Sequence, residues 1–131
     1  MLGIDTNVLV RLLIADDAVQ TRRARRLVET SLSRNEPVLV SLLVIIETEW
    51  VLRSRYELEK AEILAVLQRL LEARELTFED EPAMVEALFH WKDSPAGFTD
   101  CLIAAHNRRI GCTATATFDA KVVSVPGLHA A

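Results

Sequence analysis

An α/β fold with a mostly parallel sheet is what this sequence predicts, on three observations. Short apolar runs of strand length alternate with longer segments whose apolar residues recur at helical spacing. Pro37-Val-Leu-Val40 is apolar throughout, as in a strand covered on both faces by helices. Helix caps and breakers fall at the boundaries, Ser41 before one helix and Gly111 after another. The 131 residues show no repeat, linker or composition break, so residues 1–131 are expected to form one domain.

The elements follow in order. Met1–Ile4 is a short apolar run ending at Asp5, a first strand. Thr6 or Asn7 is placed to cap a helix through Val8, Leu9, Leu12 and Leu13. Ala18–Ser33 is polar, with Ala24, Leu27, Val28 and Leu32 on one face, an amphipathic surface helix. Pro37–Val40 reads as a buried strand, and Ser41 caps a long apolar helix from Leu42 to about Arg55. Ile63, Leu64, Leu67, Leu70 and Leu71 mark a helix over about Leu58–Ala73, and Leu76–Phe78 a short strand. Pro82 suits the first turn of a helix to about His90. Beyond the loop 93–97, a helix from about Thr99 to Arg109 ends in two arginines and then Gly111. Cys112–Thr117 reads as a strand, Phe118-Asp119 as a turn, and Val122–Val125 as a last edge strand ended by Pro126-Gly127.

Composition narrows the function. Fifteen basic against nineteen acidic residues leave a net charge of −4, opposite to that of a chain holding nucleic acid by bulk electrostatics. The balance is uneven, because residues 1–35 carry six arginines against four acids, while 72–93 are strongly acidic. The longest uncharged stretch, Pro37–Ile46, is too short for a membrane span of about twenty residues. The opening Met-Leu-Gly-Ile-Asp has no basic segment ahead of an apolar one, so a cytoplasmic location is expected. Cys101 and Cys112 are too few for a disulfide framework or a four-ligand zinc site. Cys101 reads as a small buried residue, and His90, His106 and His129 as surface or packing residues.

Four acids stand against the local pattern. Asp5 ends a strand, at the strand end where ligands bind in parallel α/β sheets, and it also suits a helix cap. Glu47 has Leu43, Val44, Trp50 and Val51 as its helical neighbours, so burial there demands a partner, whereas Glu49 has Arg53 one turn on. Asp100 opens a helix and Asp119 follows a strand, each with an ordinary use as a macrodipole partner or a cap. Taken together, the four are expected to converge at one end of the sheet. Carboxylates without histidine or thiolate favour a hard cation, Mg²⁺ or Mn²⁺.

The segments Ile4-Asp-Thr-Asn-Val-Leu-Val-Arg11, Val40-Ser-Leu-Leu-Val-Ile-Ile-Glu47 with Trp50-Val-Leu52, Phe98-Thr-Asp-Cys-Leu-Ile-Ala-Ala105 and Thr117-Phe-Asp119 resemble the PIN-domain ribonucleases, most closely the VapC toxins of bacterial toxin–antitoxin pairs. The resemblance runs in order over nearly the whole chain. It implies a five-stranded, mostly parallel sheet with helices on both faces. It implies metal-dependent hydrolysis of RNA phosphodiester bonds, with Asp5, Glu47, Asp100 and Asp119 as the catalytic acids, Asp5 and Asp100 holding Mg²⁺ or Mn²⁺, and Thr6, Asn7 and Thr117 supporting the pocket. It also implies an antitoxin partner and a homodimer. Many relatives carry a further acid shortly before the Asp100 position, where this chain has Gly97. Two other readings stay open: a PIN-fold module that binds without catalysis, and a phosphoacceptor receiver domain. Against the receiver, Asp5 is followed by Thr6-Asn7 rather than a second acid, and Lys121 lies only two residues past Asp119.

Overall fold

Only Ile4 and the helix cap Asp5 separate the first strand from the first helix, so β1 (Leu2–Gly3) passes almost without a loop into α1 (Thr6–Leu13). The computed structural model describes residues 1–131, and its contacts divide them into two compact units, Met1–Glu79 and Asp80–Ala131. No helix in either is long and apolar enough to cross a membrane.

The first unit continues with α2 (Ala18–Ser33), β2 (Val38–Val40), α3 (Leu42–Ser54), α4 (Lys60–Leu71) and β3 (Thr77–Phe78). The strands form a parallel sheet in the order β1-β2-β3, with Leu2 opposite Val38 and Leu39 opposite Thr77. Asp17 caps α2 through Gln20 N–H, and the helix ends where Asn35 adopts φ +56°, a left-handed stop that asparagine tolerates better than most residues. Its inward face differs from the expected one. Thr21, Ala24, Val28 and Ser31 are buried, while Leu27 and Leu32 are exposed. Burial of Thr21 is offset because its hydroxyl donates to the Arg11 carbonyl at 3.3 Å. Two groups serve the start of α3, the Ser41 hydroxyl accepting from Val44 N–H and the Glu79 carboxylate accepting from Leu42 N–H at 2.9 Å. An acid from the end of β3 thus meets the positive end of α3. Ile63, Leu64, Leu67 and Leu70 of α4 are buried, as their spacing requires.

The second unit holds α5 (Glu81–Lys92), α6 (Phe98–Arg109), β4 (Thr115–Thr117) and β5 (Leu128–Ala130). Small buried residues on both helices, Ala83 and Ala87 on α5 and Cys101, Ala104 and Ala105 on α6, permit close approach, and the rings of Trp91 and Phe98 meet at 5.4 Å. An aromatic pair of that geometry adds about 1 kcal/mol beyond the area it buries. Gly111 closes α6 at φ +111°, where a side chain would strain the backbone.

The five-stranded sheet is corrected by the structure: five short strands form two separate parallel sheets, β1-β2-β3 and β4-β5. The last strand also moves. Asp119 caps a 3₁₀ turn, Ala120–Val122, which buries Val122, and Val125 is buried just beyond it. Val122 therefore packs from a helical turn and Val125 from the turn that follows it, and the strand forms only after Gly127, which has φ +92°. Leu128–Ala130 then pairs with β4, Thr115 opposite Leu128.

Candidate functional site

Asp5 occupies the carboxyl end of β1 and is the N-cap of α1. Its Oδ1 accepts from Val8 N–H at 3.1 Å, so the capping use is realised by Asp5 itself rather than by Thr6 or Asn7. Only one carboxylate oxygen is used in this way, and the other oxygen of this exposed residue makes no hydrogen bond with the protein. Thr6 is buried beneath it and Asn7 is exposed beside it. Asp5 and Asn7 line a cavity of about 390 Å³ with Arg11, Gln20 and Arg23. Arg11 is tied into place there: its Nε donates to Gln20 Oε1 at 2.6 Å, and its Nη1 to Asp16 and to the Tyr56 hydroxyl, each at 3.0 Å. The Tyr56 hydroxyl donates its own proton to Asp16 at 3.0 Å, which closes the network. The Tyr56 contact, with Asp16 and Asp17 nearby, raises the Arg11 pKa further above its already high ordinary value.

Glu47 lies on α3 with its side chain exposed; of its four apolar helical neighbours, Leu43 and Trp50 are exposed as well, at 79% and 48%, Val44 is half-buried and Val51 is buried. The buried acid of α3 is Glu49, 3% exposed. Its carboxylate receives Arg53 Nε at 2.9 Å and Nη2 at 3.4 Å, an i,i+4 pair that satisfies a charge the interior would otherwise reject. Buried Thr48 beside it has a hydroxyl without a partner. Helical spacing identified the neighbours of Glu47 correctly, but α3 is apolar round most of its circumference, and packing turned the Glu49 side inward.

Asp100, half-buried in the first turn of α6, accepts from Gly97 N–H at 3.1 Å through Oδ2. Gly97 has ordinary extended dihedrals, φ −77° and ψ 162°, and an added Cβ would stand 3.5 Å from Asp100 Oδ2. The backbone thus admits other residues at position 97. Asp119 accepts from Lys121 N–H at 2.9 Å, and its own N–H donates to the hydroxyl of half-buried Thr117 at 3.1 Å. Asp5, Asp100 and Asp119 therefore share one design, a carboxylate anchored to the backbone by one oxygen.

Sequence reasoning missed Asp80. It caps α5 through Ala83 N–H and is 8% exposed. It receives His106 Nδ1 at 2.8 Å and Arg109 Nε at 2.6 Å, both from α6. Burial, the largest single influence, pushes this carboxyl up. The hydrogen bonds from His106, Ala83 and Arg109 outweigh it and leave the pKa below the ordinary carboxylate value. The available signal was an acid directly before Glu81-Pro82, the place of a helix cap.

A hard divalent cation fits the donor chemistry of this set, since carboxylate oxygens are the ligands Mg²⁺ and Mn²⁺ prefer. The first unit supplies Asp5 and Glu47, the second Asp100 and Asp119. The gathered cluster expected from the sequence is not what either unit displays, because neither brings three His, Cys, Asp or Glu side chains into a group able to hold a metal ion.

Comparison with protein-family models matches residues 3–128 to the PIN domain. No curated protein matches the chain.

Proposed function

Since the chain belongs to the PIN domain family, a nuclease-type fold, we propose that it is a metal-dependent endoribonuclease and the toxin of a toxin–antitoxin pair. The observation that carries this is the placement of Asp5. It stands at the carboxyl end of β1, anchored through Oδ1 to Val8 N–H, with its second oxygen free beside a cavity that also presents guanidinium groups. A pure cap needs no such surroundings. Asp5, Glu47, Asp100 and Asp119 are the acids of the reaction, with Asp5 and Asp100 as the metal-holding pair.

When bound, Mg²⁺ or Mn²⁺ supplies polarisation of the scissile phosphate and a lowered pKa for the attacking water. The rest belongs to the chain. The backbone caps hold Asp5, Asp100 and Asp119 in fixed orientations, so little reorganisation accompanies substrate binding. One acid accepts the proton of the attacking water at its free oxygen. Thr117 holds the turn that carries Asp119, and Thr6 and Asn7 flank Asp5. Residues 1–131 act as one domain in this reading, in the cytoplasm, as a homodimer held in check by an antitoxin protein.

The test is cleavage of single-stranded RNA, tRNA and rRNA with Mg²⁺ or Mn²⁺, with and without EDTA. Cleavage that EDTA abolishes and excess metal restores is expected. Absence of cleavage with either metal on all three substrates, or cleavage indifferent to EDTA, overturns the reading.

A further inference from the structure

The cavity beside Asp5 is lined by two arginines against one carboxylate, with Asn7 and Gln20 as its other polar residues. Its volume of about 390 Å³ falls within the roughly 300–1,000 Å³ of clefts that hold ligands. The two arginines are in different states. Arg11 is fixed by Gln20, Asp16 and Tyr56, which occupy Nε and Nη1 and leave Nη2 unused. Arg23 is exposed and has neither a hydrogen bond nor an ion pair with the protein. Arg22 and Arg26, on the same helix, are exposed too but do not line this cavity.

An unpaired guanidinium next to a pre-oriented one suits an oxyanion, because the planar fork donates two parallel hydrogen bonds to phosphate or carboxylate. Two such groups lining one cavity can converge on a single phosphate of a strand whose backbone a basic groove follows. We propose that this cavity seats a backbone phosphate of the RNA strand, with Arg23 as its principal ligand and the free edge of Arg11 and the Asn7 amide completing the seat. Arg23 is thereby a substrate-binding residue that positions the strand alongside Asp5. The proposal rests on the nuclease reading and extends it by naming what holds the substrate.

Binding of a labelled single-stranded RNA oligonucleotide, measured by fluorescence anisotropy in EDTA over a range of salt concentrations, tests it without cleavage. Arg23→Ala is expected to weaken binding about tenfold at low salt. It should also flatten the log–log salt dependence by about 0.7, the contribution of one phosphate contact on a single strand. Arg23→Lys restores the salt slope but only part of the affinity, and Arg22→Ala stays within about twofold of wild type. Circular dichroism checks that each variant is folded, which the exposed, unpaired state of Arg23 leads us to expect. Unchanged affinity in Arg23→Ala, or equal losses in Arg22→Ala and Arg23→Ala, overturns the phosphate seat and leaves the nuclease reading standing wherever the wild type cleaves. A wild type that neither binds nor cleaves overturns both. Normal oligonucleotide binding with lost binding of an oligoglutamate peptide assigns the cavity to a protein partner and overturns the proposal.

Discussion

Substituting Asp5 by asparagine and by alanine separates its two uses, because the structure shows the cap directly. Oδ1 accepts from Val8 N–H at 3.1 Å, and the side-chain carbonyl oxygen of an asparagine at this position can do the same, since Asp and Asn are near-equal caps. Asp5→Asn then costs only the attraction between the carboxylate and the helix dipole. At this exposed site that is the lower part of the usual range, about 0.3–0.5 kcal/mol. Asp5→Ala loses the cap as well, about 1 kcal/mol more. At roughly 3 °C per kcal/mol for a chain of this size, Tm falls by about 1 °C in the first variant and about 4–5 °C in the second. Activity follows a different order if Asp5 holds the metal. Loss of a group that merely orients a metal ligand costs about 10- to 100-fold, so loss of a ligand should cost at least about 100-fold, in both variants alike. The assay pairs thermal melts in EDTA with initial rates of RNA cleavage in Mn²⁺ well below both melting temperatures. Near-wild-type cleavage by Asp5→Asn, with a deficit in Asp5→Ala no larger than its unfolded fraction, would refute the metal-binding role and leave Asp5 a cap.

Other expectations concern groups whose surroundings are equally explicit. Asp80 has a carboxyl pKa lowered in the folded state, so it adds stability above the unfolded value near pH 4, and that stability is lost as the pH falls through the folded value. Acid melts should therefore steepen below about pH 4 in wild type and less so in Asp80→Asn; parallel curves would remove Asp80 from the account. Arg53→Ala strands the buried Glu49 carboxylate and should cost about 2 kcal/mol, less than a fully buried pair because Arg53 is more than half exposed. Adding Glu49→Gln should recover at least half of that loss in urea melts, and no recovery would show that Arg53 acts through packing alone. Thr48→Val removes a buried hydroxyl with no partner and should raise stability by about 0.5–1 kcal/mol, whereas a loss would mean that the hydroxyl is satisfied in solution.

What the sequence determined by itself is the set of features built from neighbours within one helical turn. Residues Ala18–Ser33 form a helix with the expected bounds, Ser41 caps α3, Gly111 ends α6, and the acids at 5, 100 and 119 lie at element boundaries where their motifs put them. Caps and spacing act over three or four residues, and those residues are adjacent in the chain. The tertiary structure decided what depends on partners far away in sequence. It turned Glu49 rather than Glu47 inward, since the eight apolar residues of α3 are spread round the helix and give no local signal for which side will pack. It paired β4 with a strand beyond Gly127, and it joined Asp80 to His106, 26 residues further on, through the packing of α5 against α6. Strand pairing and ion pairs of this kind depend on which surfaces meet once apolar area is buried, a choice made by the whole assembly of helices and strands rather than by any one segment.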